Sequence, residues 1–302
     1  MTLRVQVVLP SSPLRDGAER EAFKAGCRWL AERDVEVLPP AAVAAHTLPW
    51  LAGEDGVRAA HFCAAFREGV DVVWMGRGGS GAARTLAVAE MVGIPRIADL
   101  LAARRVRLFG FSDGTTLLSA WAMRGWNAWS APPLTQIARL DDASRERLER
   151  GLAGEVPAFA GLVSIVAGQG VGRLMGGNLA VLGSLVGTPQ MPSLAGSIVM
   201  FEDIGEAAFR VDRLLHQILF AGAFEGVAGV VLGEFSGLSL RDTLEAQVAL
   251  DDFFGRLGLP CARGLPLGHG TRNVPLPLGW SARLEVGTEA TLVLSAGSDG
   301  GS

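Results

Sequence analysis

Residues Gly110 to Gly114 read GFSDG, a G-x-S-x-G that follows an apolar run and precedes a helix-forming segment. Such an arrangement exposes a serine Oγ on a sharp turn with a helix N-terminus beneath it, which makes Ser112 a candidate nucleophile. The plainer alternative is that Ser112 only caps the helix begun by DGTTLLSA. A serine nucleophile needs a base, and the base needs an orienting acid. Four histidines can supply the base. His61 in AAHFCAAF and His216 in RLLHQIL lie inside amphipathic helical text, where packing is the simpler role, and His46 in AAVAAHTLPW lacks polar neighbours. His269 stands between Gly268 and Gly270 in LPLGHGTRNVPLPLG. A loop histidine can be aimed at a cleft by rigid strands on either side, or can simply sit at the surface. For the acid, GSIVMFEDIGE ends a buried apolar strand with Glu202 and Asp203. Either can orient an imidazole, and either can cap the helix that follows. Alternation along SIVMFED sends successive side chains to opposite faces, so these two carboxylates should diverge and only one should face a cleft.

A second glycine pattern lies upstream. DVVWMGRGGSGAARTL contains Gly76-x-Gly78-x-x-Gly81 after an apolar run, the spacing of a dinucleotide-binding turn. That fingerprint belongs to the first βα unit and is followed by an acidic residue about 20 positions on, at the end of the next strand. Here Gly76 opens a later unit, and the next strand, RVRLFG, ends in FSD about 30 residues downstream. No dinucleotide cofactor is expected. The three cysteines, Cys27, Cys63 and Cys261, are scattered without C-x-x-C spacing, and no His/Cys/Asp cluster offers a ligand set, so neither a disulfide framework nor a metal site is expected.

These residues must be positioned by a scaffold, and its outline is legible. LRVQVVLP, VEVLP, DVVWM and RVRLFG read as strands that alternate with helices in GAEREAFKAGCRWLAER, GEDGVRAAHFCAAFREG, AARTLAVAEMVG and TTLLSAWAMRG. Such alternation means βαβ units and a parallel sheet. From about 126 to 160 the text mixes prolines with a charged amphipathic piece and shows no strand. Beyond it come short β segments (GLVSIVAG, GSIVMF, GVAGVVLGEF, ARLEV, ATLVLSA) and two clear helices, EAAFRVDRLLHQILFAGAF and RDTLEAQVALDDFFGRL. The expected division is an N-terminal α/β domain over 1–130 carrying the candidate nucleophile, an inter-domain crossing over 131–159, and a β-rich α/β domain over 160–302 carrying the candidate acids and His269. The tail GSDGGS is expected to fray.

Composition excludes several classes. A chain of 302 residues with 49% apolar and 19% charged residues has material for two packed cores and is not a disordered chain. A net charge of −4 argues against a nucleic-acid partner. No run reaches 18 uninterrupted apolar residues, and MTLRVQVVLPSSP reads as a first strand rather than a leader, so the expected setting is the cytoplasm without membrane attachment.

Taken together, the ordered blocks VLPSSP, GVRAAHFCAAFREGVDVVWMGRGGSGAARTL, GFSDGTTL, GRLMGGNLAVLGSLVGTP, VMFEDIGEAAFRVDRLLHQIL and GVVLGEF followed by LPLGHGTRNVPLPLG resemble the LD-carboxypeptidase family over nearly the whole chain. The founding activity of that family is muramoyltetrapeptide carboxypeptidase, and it also includes the microcin C self-immunity proteins. By position, the resemblance places the family's nucleophile on Ser112, its glutamate on Glu202 and its histidine on His269. It reads GRGGSG as the Arg-Gly-Gly loop of an oxyanion hole, with donors at the N–H of Asp113 and at Gly78 or Gly79. It implies a flavodoxin-like N-terminal domain, an active site at the interface with the C-terminal domain, a homodimer and no cofactor. The implied substrate is a muropeptide, L-Ala-D-Glu-(diamino acid)-D-Ala, cut before its terminal D-Ala during peptidoglycan recycling. Arg77 is the first candidate for the substrate's free carboxylate, ahead of Arg84 and Arg272, though a structural salt bridge explains it equally; Ser80 and Asn178 are further candidate substrate contacts. Three departures from the family pattern bear on substrate identity: Ser80 replaces a usual tyrosine, Ser130-Ala131-Pro132 replaces a His-Gly-Pro block, and SDG replaces SD followed by a bulky aliphatic residue. The alternatives are a family member hydrolysing a peptidyl-nucleotide antibiotic, a non-catalytic muropeptide or peptide-nucleotide binder, and an unrelated α/β-hydrolase esterase, which would share G-x-S-x-G but not GGNL or FEDIGE.

Overall fold

A computed structural model describes residues 2–42, 46–104 and 106–296; the tail GSDGGS lies outside them. The chain forms two compact units, Met1–Leu140 and Asp141–Ser302.

The first unit alternates strand and helix: β1 (Leu3–Val8), α1 (Gly17–Ala31), β2 (Val35–Leu38), α2 (Asp55–Ala65), β3 (Val72–Met75), α3 (Ala82–Val92), α4 (Ile94–Arg104), β4 (Arg107–Gly110), α5 (Thr115–Met123), β5 (Ala128–Ser130) and the single turn α6 (Leu134–Ile137). Within this unit the strands run parallel in the order β2-β1-β3-β4-β5, so the expected parallel sheet is present. That order is common among doubly wound sheets, whose ligands sit beyond the C-terminal strand ends where the order reverses. Here the reversal falls between β1 and β3. β3 has the all-apolar sequence VVWM and is buried throughout, as expected of a strand covered on both faces. Trp74 on β3, Phe109 on β4 and Trp129 on β5 form an aromatic row, with centroids 4.9 and 5.5 Å apart. Full burial of a side chain such as Phe109 is worth roughly 1.5–3 kcal/mol. The stretch read as strandless from residue 126 does contain β5; three residues, AWS, are too few to show a period-2 pattern.

The second unit contains α7 (Asp142–Leu152), β6 (Phe159–Val166), β7 (Gly168–Asn178), α8 (Leu179–Leu185), β8 (Ser197–Ile204), α9 (Ala208–Phe220), β9 (Gly229–Ser236), α10 (Leu240–Leu257), β10 (Cys261–Arg263), β11 (Leu276–Leu278), β12 (Ser281–Val286) and β13 (Ala290–Ser295). Seven of its strands close into a barrel in the order β10-β6-β13-β12-β7-β8-β9. β7, β8, β9 and β10 run parallel to one another, and the remaining pairs are antiparallel. The β-rich expectation thus takes the specific form of a barrel. β7 escaped the sequence reading because its text, GQGVGRLMGGN, carries five glycines, which weaken strand propensity. Those glycines serve close packing: a Cβ on Gly176 (φ +113°) would fall 2.1 Å from the Met200 carbonyl oxygen of neighbouring β8. Among the described residues, no helix is long and apolar enough to cross a membrane.

Candidate active site

The G-x-S-x-G elbow forms where β4 runs into α5. Phe111 is still extended (φ −157°), and Ser112 then turns to φ +60° as it opens the short 3-10 turn Ser112–Gly114. Among the described residues, only Asp34 shares a positive φ without being glycine. An L-residue in that region costs about 1–2 kcal/mol, and strain of this kind persists where the surrounding structure enforces it. The enforcement here comes from packing. A Cβ on Gly110 or Gly114 would fall 2.5 or 2.6 Å from the Met75 Sδ, so the two glycines of G-x-S-x-G let the elbow close around the end of β3.

The Arg-Gly-Gly loop follows β3 and lies beside this elbow. A Cβ on Gly78 would fall 3.1 Å from Ser112 Cβ and 3.4 Å from Ser112 Oγ, so a side chain there would crowd the hydroxyl. The loop is braced by the segment after β1: the Ser12 N–H donates to the Gly78 carbonyl at 3.4 Å, and the Ser80 N–H donates to Ser12 Oγ at 3.1 Å. Gly79 (φ +112°) faces Ser12 so closely that a Cβ would meet its Oγ at 2.1 Å. Asp113 ties the elbow to α3 by accepting the Ala82 N–H at 2.8 Å. Burial pushes the Asp113 carboxyl above its usual range, with the Ala82 N–H acting in the opposite direction. The ends of β1, β3 and β4 therefore converge at Ser112, next to the topological switch point.

The arginines expected near substrate have partners within the protein. Arg77 is largely buried and donates to the Pro13 carbonyl at 2.7 Å and Glu19 at 2.9 Å. Arg84 pairs with Asp55 at 2.7 Å, and Arg272 lies 3.6 Å from Glu234. For Arg77 the geometry is that of the structural salt bridge.

In the second unit, Glu202 ends the apolar run of β8 and is fully inaccessible to solvent. His269 Nδ1 lies 2.9 Å from Glu202 Oε2, and the imidazole is 17% exposed. The other carboxylate oxygen, Oε1, accepts from Asn178 Nδ2 at 3.2 Å. Asn178 is itself buried. Its Nδ2 also donates to Asp203 at 2.9 Å, and its Oδ1 accepts the Val181 N–H at 3.0 Å as the N-cap of α8. Sequence had offered Asn178 as a substrate contact; in the fold its side-chain amide contacts both Glu202 and Asp203.

The expected divergence of Glu202 and Asp203 does not occur, since both carboxylates accept from the same Asn178 amide. The pairing of β8 with β9 breaks register here: Phe201 faces Leu232, but Asp203 faces Phe235. The extra residue belongs to β9, where Gly233 and Glu234 stand against the single residue Glu202 of β8. Asp203 does cap a helix, but the one before it: Oδ2 accepts the Ala180 N–H of α8 at 2.9 Å, while Oδ1 accepts the Ile204 N–H at 2.8 Å. Burial raises the Asp203 carboxyl to about 6, against the hydrogen bonds from Ile204, Asn178 and Ala180. The folded state thus holds this proton more tightly than the unfolded chain, whose aspartates titrate near about 4. The stabilisation is complete below about pH 4 and is lost as pH rises through about 6. Asp203→Asn is expected to flatten the fall in thermal midpoint between those pH values. A variant with the wild-type slope would contradict the assignment.

The other histidines have structural settings. His46 pairs with Glu54 at 3.1 Å and accepts the Leu48 N–H; His216 sits on α9 against Asp212, Phe220 and Phe253; His61 lines a small pocket beside α2. Sequence reasoning missed Glu234, which ends the apolar run of β9 as Glu202 ends that of β8. The signal was present in GVVLGEF, a buried strand closed by an acid.

The chain matches the LD-carboxypeptidase N-terminal domain over residues 5–131 and the LD-carboxypeptidase C-terminal domain over residues 171–284. A relative from Streptomyces coelicolor is 34% identical over 96% of this chain and 93% of its own. The murein tetrapeptide carboxypeptidase of Pseudomonas aeruginosa is 32% identical over 72% of this chain and 73% of its own. The crystal structure of a muramoyltetrapeptide carboxypeptidase from Oxalobacter formigenes superposes with a TM-score of 0.78 at 26% identity, covering 97% of this chain and 98% of that one. With both domains matched in order and relatives aligned along almost its full length, the chain belongs to the LD-carboxypeptidase family.

Proposed function

We propose that the protein is a serine-type LD-carboxypeptidase that removes the terminal D-Ala from murein tetrapeptides, with cytoplasmic peptidoglycan recycling as its setting. The observation that carries this reading is the buried Glu202 carboxylate at 2.9 Å from His269 Nδ1, in a chain of this family that also holds Ser112 on a strained elbow.

In this reading Ser112, Glu202 and His269 act as one triad. Ser112 Oγ attacks the carbonyl of the third residue while His269 Nε2 takes the hydroxyl proton. Glu202 accepts from Nδ1–H, which fixes the tautomer that leaves Nε2 basic and stabilises the imidazolium as it forms. The oxyanion of the tetrahedral intermediate is met by the N–H of Asp113, at the start of the elbow turn, and by the N–H of Gly78 or Gly79. Each such donor is worth about 3–4 kcal/mol in the transition state. The imidazolium then gives its proton to the departing D-Ala amine, leaving an acyl-Ser112 ester. Water, deprotonated by His269, hydrolyses the ester and regenerates the enzyme. The glycines at 78 and 79 fit this role because a side chain at 78 would crowd Ser112 Oγ. The test is release of D-Ala from the tetrapeptide, with the products weighed by mass spectrometry.

A further inference from the structure

A pocket of about 510 Å³ opens between α10 and the barrel strands, within the size range of ligand sites. Its walls include Val163, Leu232, Phe235 and Leu250, which are suited to a methylene chain. One charged pair on its lining, Arg263 with Asp251, neutralises itself through contacts of 2.6 Å. Glu234 is different. It joins the pocket to the His269 loop: a Cβ on Gly268 would fall 2.6 Å from Glu234 Oε2, and one on Gly270 would fall 3.3 Å from it. The Glu234 N–H also donates to the Leu267 carbonyl at 2.8 Å. Its cationic neighbour Arg272 is 3.6 Å away, well beyond the roughly 2.7–2.9 Å of a charge-assisted hydrogen bond. Burial raises the Glu234 carboxyl above its usual range; Arg272 opposes this, and the charges of Asp141 and Glu202 add to it. A half-buried carboxylate so incompletely neutralised gains strongly from an incoming cation.

We propose that this pocket takes the side chain of the substrate's third residue, a diamino acid, with its methylenes against the apolar walls and its terminal ammonium on Glu234. The assignment rests on the LD-carboxypeptidase reading, because the scissile bond directly follows that residue and its side chain must begin beside the catalytic loop. Glu234 is then a specificity-determining residue. It is distinct from the triad and touches the chain that tells a diamino acid from a neutral one.

The experiment compares two tetrapeptides that differ only in the third residue, lysine against its uncharged analogue norleucine, using the full-length protein and Glu234→Gln. Wild type is expected to favour the lysine peptide in kcat/KM by about ten-fold or more, since only the lysine ammonium can make a charge-assisted hydrogen bond to the half-buried Glu234. Glu234→Gln is expected to bring that ratio close to one. Equal wild-type rates on the two peptides, or a preference that survives in Glu234→Gln, overturn the pocket assignment and leave the LD-carboxypeptidase reading standing. No D-Ala from either peptide overturns both. The wild-type comparison decides even if the variant fails to fold.

Discussion

Ser112→Ala is expected to remove tetrapeptide turnover by several orders of magnitude, roughly 10⁶ where a comparable triad has been taken apart residue by residue. The fold should survive. Alanine at φ +60° carries the same backbone strain as serine, so the substitution neither relieves nor adds to it. Nothing in the Met75 clamp or in the Ser12 brace uses the Ser112 hydroxyl. The thermal midpoint should therefore stay within a few degrees of wild type, a shift of less than about 1 kcal/mol in stability. Stopped assays on purified variant, read beside a melting curve, check both halves. Retention of more than a few per cent of the wild-type rate would remove Ser112 from the mechanism.

Glu202→Gln carries the second large effect. A glutamine amide of nearly the same shape can still occupy the buried end of β8, but it presents an N–H where the carboxylate accepted one. It favours the tautomer in which His269 Nε2 holds the proton, so the ring can no longer act as base, and it cannot stabilise the imidazolium. A loss of about 10³–10⁴ in kcat with little change in KM is expected. Asp203→Asn should leave kcat much closer to wild type, since that carboxylate contacts α8 and Asn178. Steady-state kinetics of the two variants measured together check the assignment. The reverse pattern would mean that the acid has been placed on the wrong residue.

The parts of the site legible in the sequence are those written in local text. Ser112 stood out because paired glycines around a serine, after an apolar strand, describe a turn that few other functions require. His269 stood out by its flanking glycines, and the fold gives those glycines a reason, since Glu234 occupies the space beside them. What stayed hidden depends on residues far apart in the chain. Closure of the barrel is decided by pairings such as β10 with β6 and β12 with β7, which no local period encodes. The convergence of Glu202 and Asp203 on Asn178 depends on a partner 24 residues upstream of Glu202. Arg77 looked available for substrate because its partner Glu19 lies 58 positions away. Strand β7 was hidden for a different reason: its glycines suit close packing against β8, and propensity counts them against a strand.

The proposed activity is met most directly by one incubation. Purified protein is mixed with the tetrapeptide L-Ala-D-Glu-(diamino acid)-D-Ala, beside the matching tripeptide as a control, and the products are weighed by mass spectrometry. Wild type is expected to yield the tripeptide and free D-Ala, and Ser112→Ala to leave the tetrapeptide unchanged. Intact tetrapeptide after incubation with wild type, or cleavage at any other bond, would contradict the proposed activity.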